Sequence, residues 1–207
     1  MAYYSQNDEE RVILEYFGDK PGRFLDIGAY DGIGFSNTRR LLENGWSGVY
    51  VEPSPENVLQ LIKNSLPYSD RVQIVQAAVS VRRGLARFHI DTYPDRGWSS
   101  TISPALLELG SVMRPLALQV WTAVISMHDL DGPELGPYDF ISLDCEGEDM
   151  HILQYMISND IMLDDCRMIC MECHSPHERE EIKGLLARLG FLCIYDTREN
   201  VLMAKPT

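Results

Sequence analysis

No stretch of about 18 apolar residues occurs anywhere in this 207-residue chain, so nothing in it reads as a membrane-spanning helix. Met1 to Arg11 is polar and acidic and lacks the basic start and apolar stretch of a secretory signal. Positive charge is scarce: 18 Lys and Arg stand against 31 Asp and Glu, a formal net charge of −13. Such a surface repels phosphate backbones and argues against a nucleic-acid partner. The local basic clusters, Arg39-Arg40 and Arg82-Arg83 with Arg87 nearby, are large enough for one phosphate or carboxylate of a small substrate. Their simpler reading is as solvated surface arginines. Cysteine is sparse and odd in number, five in all, which suits a reducing cytoplasm rather than a disulfide framework.

Three of those thiols, Cys166, Cys170 and Cys173, are spaced like metal ligands. The surrounding residues 164–175 read as a buried strand, in which a rise of roughly 3.3 Å per residue puts positions four apart about 13 Å from each other. Cys173 would then point to the opposite face from Cys166 and Cys170. Core packing, not zinc, is the expectation.

What the chain does have is apolar content, 45%, arranged in alternating strand-like and helix-like segments. That alternation predicts a parallel sheet covered by helices, in one α/β domain over 1–207. Residues 7–17 read as a helix capped by Asn7 or Asp8, with Val12, Ile13, Tyr16 and Phe17 on one face. Strands are expected at 23–28, 47–52 and 72–79, with helices at 34–44 and 54–65. Residues 84–91 and 118–126 read as strands, 92–104 as a loop and 104–113 as a short helix. Strands at 138–144 and 167–172 follow, with helices at 148–159 and 176–189. The pair 191–195 and 201–204 reads as a closing hairpin.

The sharpest local signal is FLDIGAYDGIG at 24–34: a hydrophobic strand runs into glycines and then into a helix. In an open α/β sheet that turn lies where ligands bind, beyond the carboxyl ends of the strands. A dinucleotide fold asks for G-x-G-x-x-G, but the spacing here is Asp26-x-Gly28-x-x-x-Gly32. An acid at the strand end suits a ligand carrying an amine and a sulfonium better than a pyrophosphate. Glu52, ending the second strand, can accept both hydroxyls of a ribose.

Residues 26–32 (DIGAYDG) resemble motif I of class I S-adenosylmethionine methyltransferases, and residues 51–55 (VEPSP) resemble their motif II. Residues 141–149 (ISLDCEGED) resemble the "K-I-D-x-E-G-x-E" signature of the FkbM family. SMHDL at 126–130 resembles its "T-L-D-D-L", and QAAVS at 76–80 its "N-x-A-L-S/G". Leu143, His128 and Asp149 depart from the family pattern. The resemblance implies a Rossmann-like class I methyltransferase fold: a mostly parallel seven-stranded sheet with an antiparallel C-terminal hairpin and helices on both faces.

It also implies S-adenosyl-L-methionine as cofactor. Asp26, Gly28, Ala29, Tyr30 and Gly32 would hold the methionine part, and Glu52 with Pro53 the ribose. Ala77 and Ala78 would border the adenine, with Gln76 able to offer the ring a polar partner. Asp144, Glu146, Glu172 and His174 end adjacent strands and can converge over the methyl group, Asp144 also touching the cofactor. Asp144 or His174 is the expected base and Glu146 the expected positioning group for O-methylation of a small molecule or sugar. Asp144, Glu172 and His174, with His177, also offer a candidate divalent-cation set, though the resemblance requires no metal. Residues 92–104 form a candidate lid, in which Tyr93 and Trp98 could stack on a ring and Ser99, Ser100 and Thr101 could hydrogen-bond it.

Overall fold

A computed structural model describes residues 3–90 and 118–207. Its strands are β1 (Arg23–Ile27), β2 (Ser47–Val51), β3 (Val72–Val75), β4 (Ala78–Val79), β5 (Gly84–Ile90), β6 (Leu118–Ile125), β7 (Phe140–Leu143), β8 (Met168–Glu172), β9 (Leu192–Asp196) and β10 (Asn200–Ala204). Its helices are α1 (Glu9–Phe17), α2 (Arg39–Glu43), α3 (Pro55–Ser65), α4 (Met127–Leu130), α5 (Asp149–Asn159) and α6 (Pro176–Ala187). Seven strands form one sheet in the order β3-β2-β1-β7-β8-β10-β9. β10 runs antiparallel to both of its neighbours, and the other pairings are parallel. A smaller sheet, β4-β6-β5, stands beside it.

Alternation along the strands builds a core on each face of the large sheet. Leu25, Ile27, Val49, Val51, Ile141 and Leu143 face α5 and α6 through Ile152, Leu153, Ile182 and Leu186. Phe24, Tyr50, Phe140 and Leu202 face α1, α2 and α3 through Ile13, Phe17, Leu41 and Leu61. Trp46 closes this second core, with its ring edge-on to Phe17 at 4.7 Å. Gly48 leaves room for Phe24, whose ring a Cβ there would meet at 2.3 Å.

Several sequence expectations are corrected. The segment read as a helix at 34–44 is helical only from Arg39. Ahead of it, Asp31 Oδ1 accepts the N–H groups of Ile33 and Gly34, and Ser36 Oγ accepts those of Thr38 and Arg39. These short polar side chains hold a turn in place of a helix, which is how Asp and Ser compete with helical pairing. The strand expected at 72–79 is broken at Gln76: β3 pairs with β2, whereas β4 leaves the large sheet to pair with β6. Asp8 occupies the N-cap of α1 in a left-handed conformation without a side-chain cap, and Ser5 Oγ takes the Glu10 N–H instead. Cys166 precedes β8 rather than lying within it. It therefore shares a core with Cys173, while Cys170 points to the other face. All three thiols are buried, as core packing requires. The expected short helix at 104–113 and the candidate lid at 92–104 lie outside the described residues.

Trp46 is 2% exposed. Its replacement by alanine should cost about 3–5 kcal/mol, as large aromatic truncations in cores do. Urea unfolding would show this as a lower midpoint at unchanged slope. A loss below about 1 kcal/mol would mean that this core does not rest on Trp46.

Candidate functional site

The carboxyl ends of β1, β2, β7 and β8 frame a cavity of about 250 Å³. Its floor is set by one close approach. Gly28 sits just past β1 with φ +84°, and a Cβ there would lie 1.7 Å from the Asp144 carbonyl oxygen beyond β7. Only glycine allows that contact in that conformation. The Gly28 and Ala29 N–H groups both donate to Val51 O, and the Asp144 N–H donates to Ile27 O. Three strand ends are thereby locked around one turn.

Glu52 ties the next part together. Its Oε2 accepts the Tyr30 N–H at 2.9 Å, and its Oε1 accepts the Ser54 N–H at 2.8 Å. Asn57, in the first turn of α3, donates to the same Oε1 at 3.4 Å. Ser54 caps α3 as expected, through Asn57 N. Burial pushes the Glu52 carboxyl up to about 7, against the pull of those donors. Asp26 is also buried and accepts from Thr38 Oγ1 at 2.5 Å. Burial raises it to about 6.

Beyond β7 the backbone turns sharply, with positive φ at Glu146 and Gly147. Asp149, buried at the start of α5, pins this turn by accepting the N–H groups of Cys145 and Gly147. Ser80, just past β4, donates to Glu148. The segment at 126–130 also has a structural part: Asp129 accepts from the Ser126 N–H and from Arg83, fixing the start of α4.

Asp144 and Glu172 lie within hydrogen-bonding reach of each other at the ends of β7 and β8. Asp144 has exposed surface, but that surface faces the cavity, and protein crowds it from behind. Burial, then the Asp149 carboxylate, raise its pKa to about 7. Burial and the Asp144 carboxylate raise Glu172 further. Two such carboxyls share a proton more readily than they ionise together. His174 Nε2 stands 3.3 Å from Glu172 Oε2.

Most of the expected site residues line this cavity: Asp26, Gly28, Ala29, Tyr30, Glu52, Pro53, Ala77, Ala78, Asp144, Glu146, Glu172 and His174. Gly32 does not. With φ +73°, it lies against Leu61, whose side chain a Cβ would meet at 2.6 Å. Gln76 is exposed and off the wall. The metal candidates also shift: among the described residues, Asp149 rather than Asp144 joins Glu172 and His174, with donor atoms within 4.8 Å of one another. His177 is exposed in the first turn of α6.

Sequence reasoning missed Gln6, Phe35, Asn37, Asn57 and Glu199, which also line the cavity. Asn57 was discoverable, since it lies one turn into a helix that Glu52 precedes. Phe35 and Asn37 were hidden by the helix expectation. Gln6 and Glu199 arrive through long-range packing that no local pattern encodes.

The methyltransferase FkbM domain family matches residues 26–193. The chain belongs to that family. Among solved structures, the methyltransferase FkbM of Methylobacillus flagellatus KT superposes with a TM-score of 0.59 at 13% identity, over 89% of this chain and 43% of its own. A candidate RNA methyltransferase of Pyrococcus horikoshii gives 0.54 at 11% identity, over 96% and 80% of the two chains. The N-terminal domain of human METTL16 in complex with SAH gives 0.50 at 13%, over 96% and 68%. At these identities the likeness shows a shared class I methyltransferase fold, whose strand order and antiparallel β10 the FkbM-family chain reproduces. Among curated proteins, none matches this chain.

The buried acids make stability depend on pH in a known direction. Below its ordinary value of 3.8, Asp26 is protonated folded or unfolded. Between pH 4 and about 6 the unfolded chain releases that proton more readily than the folded one, so stability falls as pH rises. Asp26→Asn keeps an acceptor for Thr38 and removes the charge. Its stability relative to wild type should improve by on the order of 2 kcal/mol from pH 4 to pH 7, read from urea midpoints. A difference that does not change with pH would contradict the assignment.

Proposed function

We propose that this FkbM-family chain is an S-adenosylmethionine-dependent O-methyltransferase acting on a small molecule or sugar hydroxyl. The observation that carries the reading is the sequence of groups along the cavity. A glycine turn comes within contact of β7, Glu52 is held at the end of β2, and Asp144 and Glu172 are paired one strand beyond. Glu52 keeps acceptor capacity after binding two backbone N–H groups and the Asn57 amide, because a carboxylate offers about four lone-pair positions. It would take a ribose hydroxyl. Ala77 and Ala78 leave a flat apolar wall for adenine, and Asp26 with the Gly28 turn would face the methionine part. The buried acids favour a ligand with net positive charge and disfavour a pyrophosphate.

When bound, the cofactor supplies an electrophilic methyl group. The protein's part is alignment and proton removal. The acceptor hydroxyl would sit over Asp144 and Glu172. A cofactor held there would supply the methyl group to that oxygen, and the carboxyl pair would take up the hydroxyl proton. Asp144 is the assigned base, Glu172 its partner. Glu146 would position the acceptor, and His174 would hold Glu172.

The acidic balance favours this over methylation of nucleic acid, although one fold neighbour is a candidate RNA methyltransferase. Free thiols throughout the described structure suit a cytoplasmic setting. Among the described residues, no helix is long and apolar enough to cross a membrane.

Two outcomes test the reading. Glu52→Ala should weaken S-adenosylmethionine binding by about tenfold to a hundredfold in calorimetry, the loss of hydrogen bonds to a charged acceptor. Affinity equal to wild type would remove Glu52 from the site. Asp144→Asn should lower S-adenosylhomocysteine release by about 10²–10⁴-fold, the usual span for a general base. The wild-type rate should rise with pH to a plateau above about 7, as the raised Asp144 carboxyl loses its proton. A rate that falls across that range would rule out Asp144 as the base.

A further inference from the structure

We propose that helix α3 is the contact face of a symmetric dimer, in which it packs antiparallel against α3 of a second copy of this chain. The inference is independent of the cofactor reading and of the acceptor.

The helix has two unlike faces. Val58, Leu61 and Ser65 are buried and hold it to the sheet. Leu59, Ile62 and Leu66 are instead 59%, 43% and 63% exposed. Steps of three and then four residues put them in one stripe along the helix. Leu66 stays in line, because this C-cap residue keeps right-handed helical angles of φ −49° and ψ −41°. Exposed Pro55 extends the stripe toward the N-terminus. Single exposed apolar residues are ordinary, whereas an aligned row bounded by charge marks a contact surface. Positions 55, 59, 62 and 66 have the spacing of a coiled-coil seam.

Charge selects the occupant. Glu56 and Lys63 are the charged residues of α3, and seven-residue spacing places both on the same margin of the stripe. Among the described residues neither makes an ion pair. When two identical helices pack antiparallel, the same margin of each meets across the seam. Setting Leu59 against the partner's Ile62 then brings Glu56 beside the partner's Lys63, and symmetry repeats the pair. A parallel arrangement would set Glu56 against the partner's Glu56. Each copy carries a formal charge of −13, which favours a meeting place where charge is balanced. One Glu and one Lys beside an apolar stripe supply that balance.

The contact is small. The 11 residues of α3 span about 16 Å. A patch of that length buries less than the roughly 800 Å² per partner typical of a stable complex, so the dimer is weak and depends on concentration. The same helix serves the cavity: Asn57 donates to Glu52, Leu61 lies against Gly32, and Asn64 donates to Asp31 O. A second copy would therefore brace the wall that carries Glu52.

The test is sedimentation velocity on the full chain from about 1 µM to about 500 µM, where a small interface assembles. Wild type should pass from monomer toward dimer across that range. Leu59→Ser combined with Leu66→Ser should weaken the dimer about tenfold or more, because each leucine is lost from both copies. Glu56→Lys alone and Lys63→Glu alone should each weaken it severalfold, by setting like charges together. Mixing those two single variants, or combining both changes in one chain, should restore it. All variants should keep wild-type thermal unfolding; should the leucine pair unfold the chain, the charge variants decide alone. A chain that stays monomeric at the highest concentration, a dimer indifferent to the leucine pair, or single charge changes that mixing does not rescue overturns the proposal.

Discussion

Everything in the site follows from the contact between the Gly28 turn and the Asp144 carbonyl. A side chain at Gly28 would collide with backbone, not with a movable group, so the end of β1 and the end of β7 can meet only through glycine. Once they meet, the chain beyond Gly28 must turn outward. That turn presents Tyr30 N–H to Glu52 and carries the next residues along the cavity wall. The parallel order of β2, β1, β7 and β8 then fixes the sequence of chemical groups: the Glu52 carboxyl, the glycine turn, the carboxyl pair. In open α/β sheets this edge is where ligands bind.

Electrostatics builds on that geometry. Asp26, Glu52, Asp144 and Glu172 are all raised mainly by removal from water, and all face one space. An apo protein tolerates such a group of acids by keeping some of them protonated. A positively charged ligand would let them ionise, so binding and proton release should be linked. Asp149 plays a separate part. Its carboxylate is spent on the Cys145 and Gly147 N–H groups, which holds Glu146 in its positive-φ turn.

Much of this was legible before any coordinates, and the reasons are specific. The ends of β1 and β2 announce themselves because a hydrophobic run stops at an acid followed by glycine or proline. The α3 start was readable from Ser54 and Pro55, and the closing hairpin from two short apolar runs flanking a polar turn. The helix at 34–44 failed because Asp31 and Ser36 intercept backbone N–H groups locally, which apolar spacing does not register. The strand at 72–79 failed because β-branched composition cannot tell which sheet a strand joins. Cys166 was misplaced because it lies ahead of β8, where the two-residue alternation of a strand no longer sets which face a side chain takes. Asp8 does not cap α1 through its side chain because its backbone is left-handed, which residue type alone does not reveal. Gln6 and Glu199 depend on contacts across nearly the whole length of the chain, and no window of sequence contains both.

The central claim is that this cavity cradles a cationic thioether nucleoside and not a dinucleotide. The most direct measurement is displacement of radiolabelled S-adenosylmethionine from the purified chain by unlabelled S-adenosylhomocysteine and, separately, by NAD. The account predicts that the label binds, that S-adenosylhomocysteine competes it off, and that NAD in large excess leaves it in place. Displacement by NAD, or no bound label at all, would contradict it.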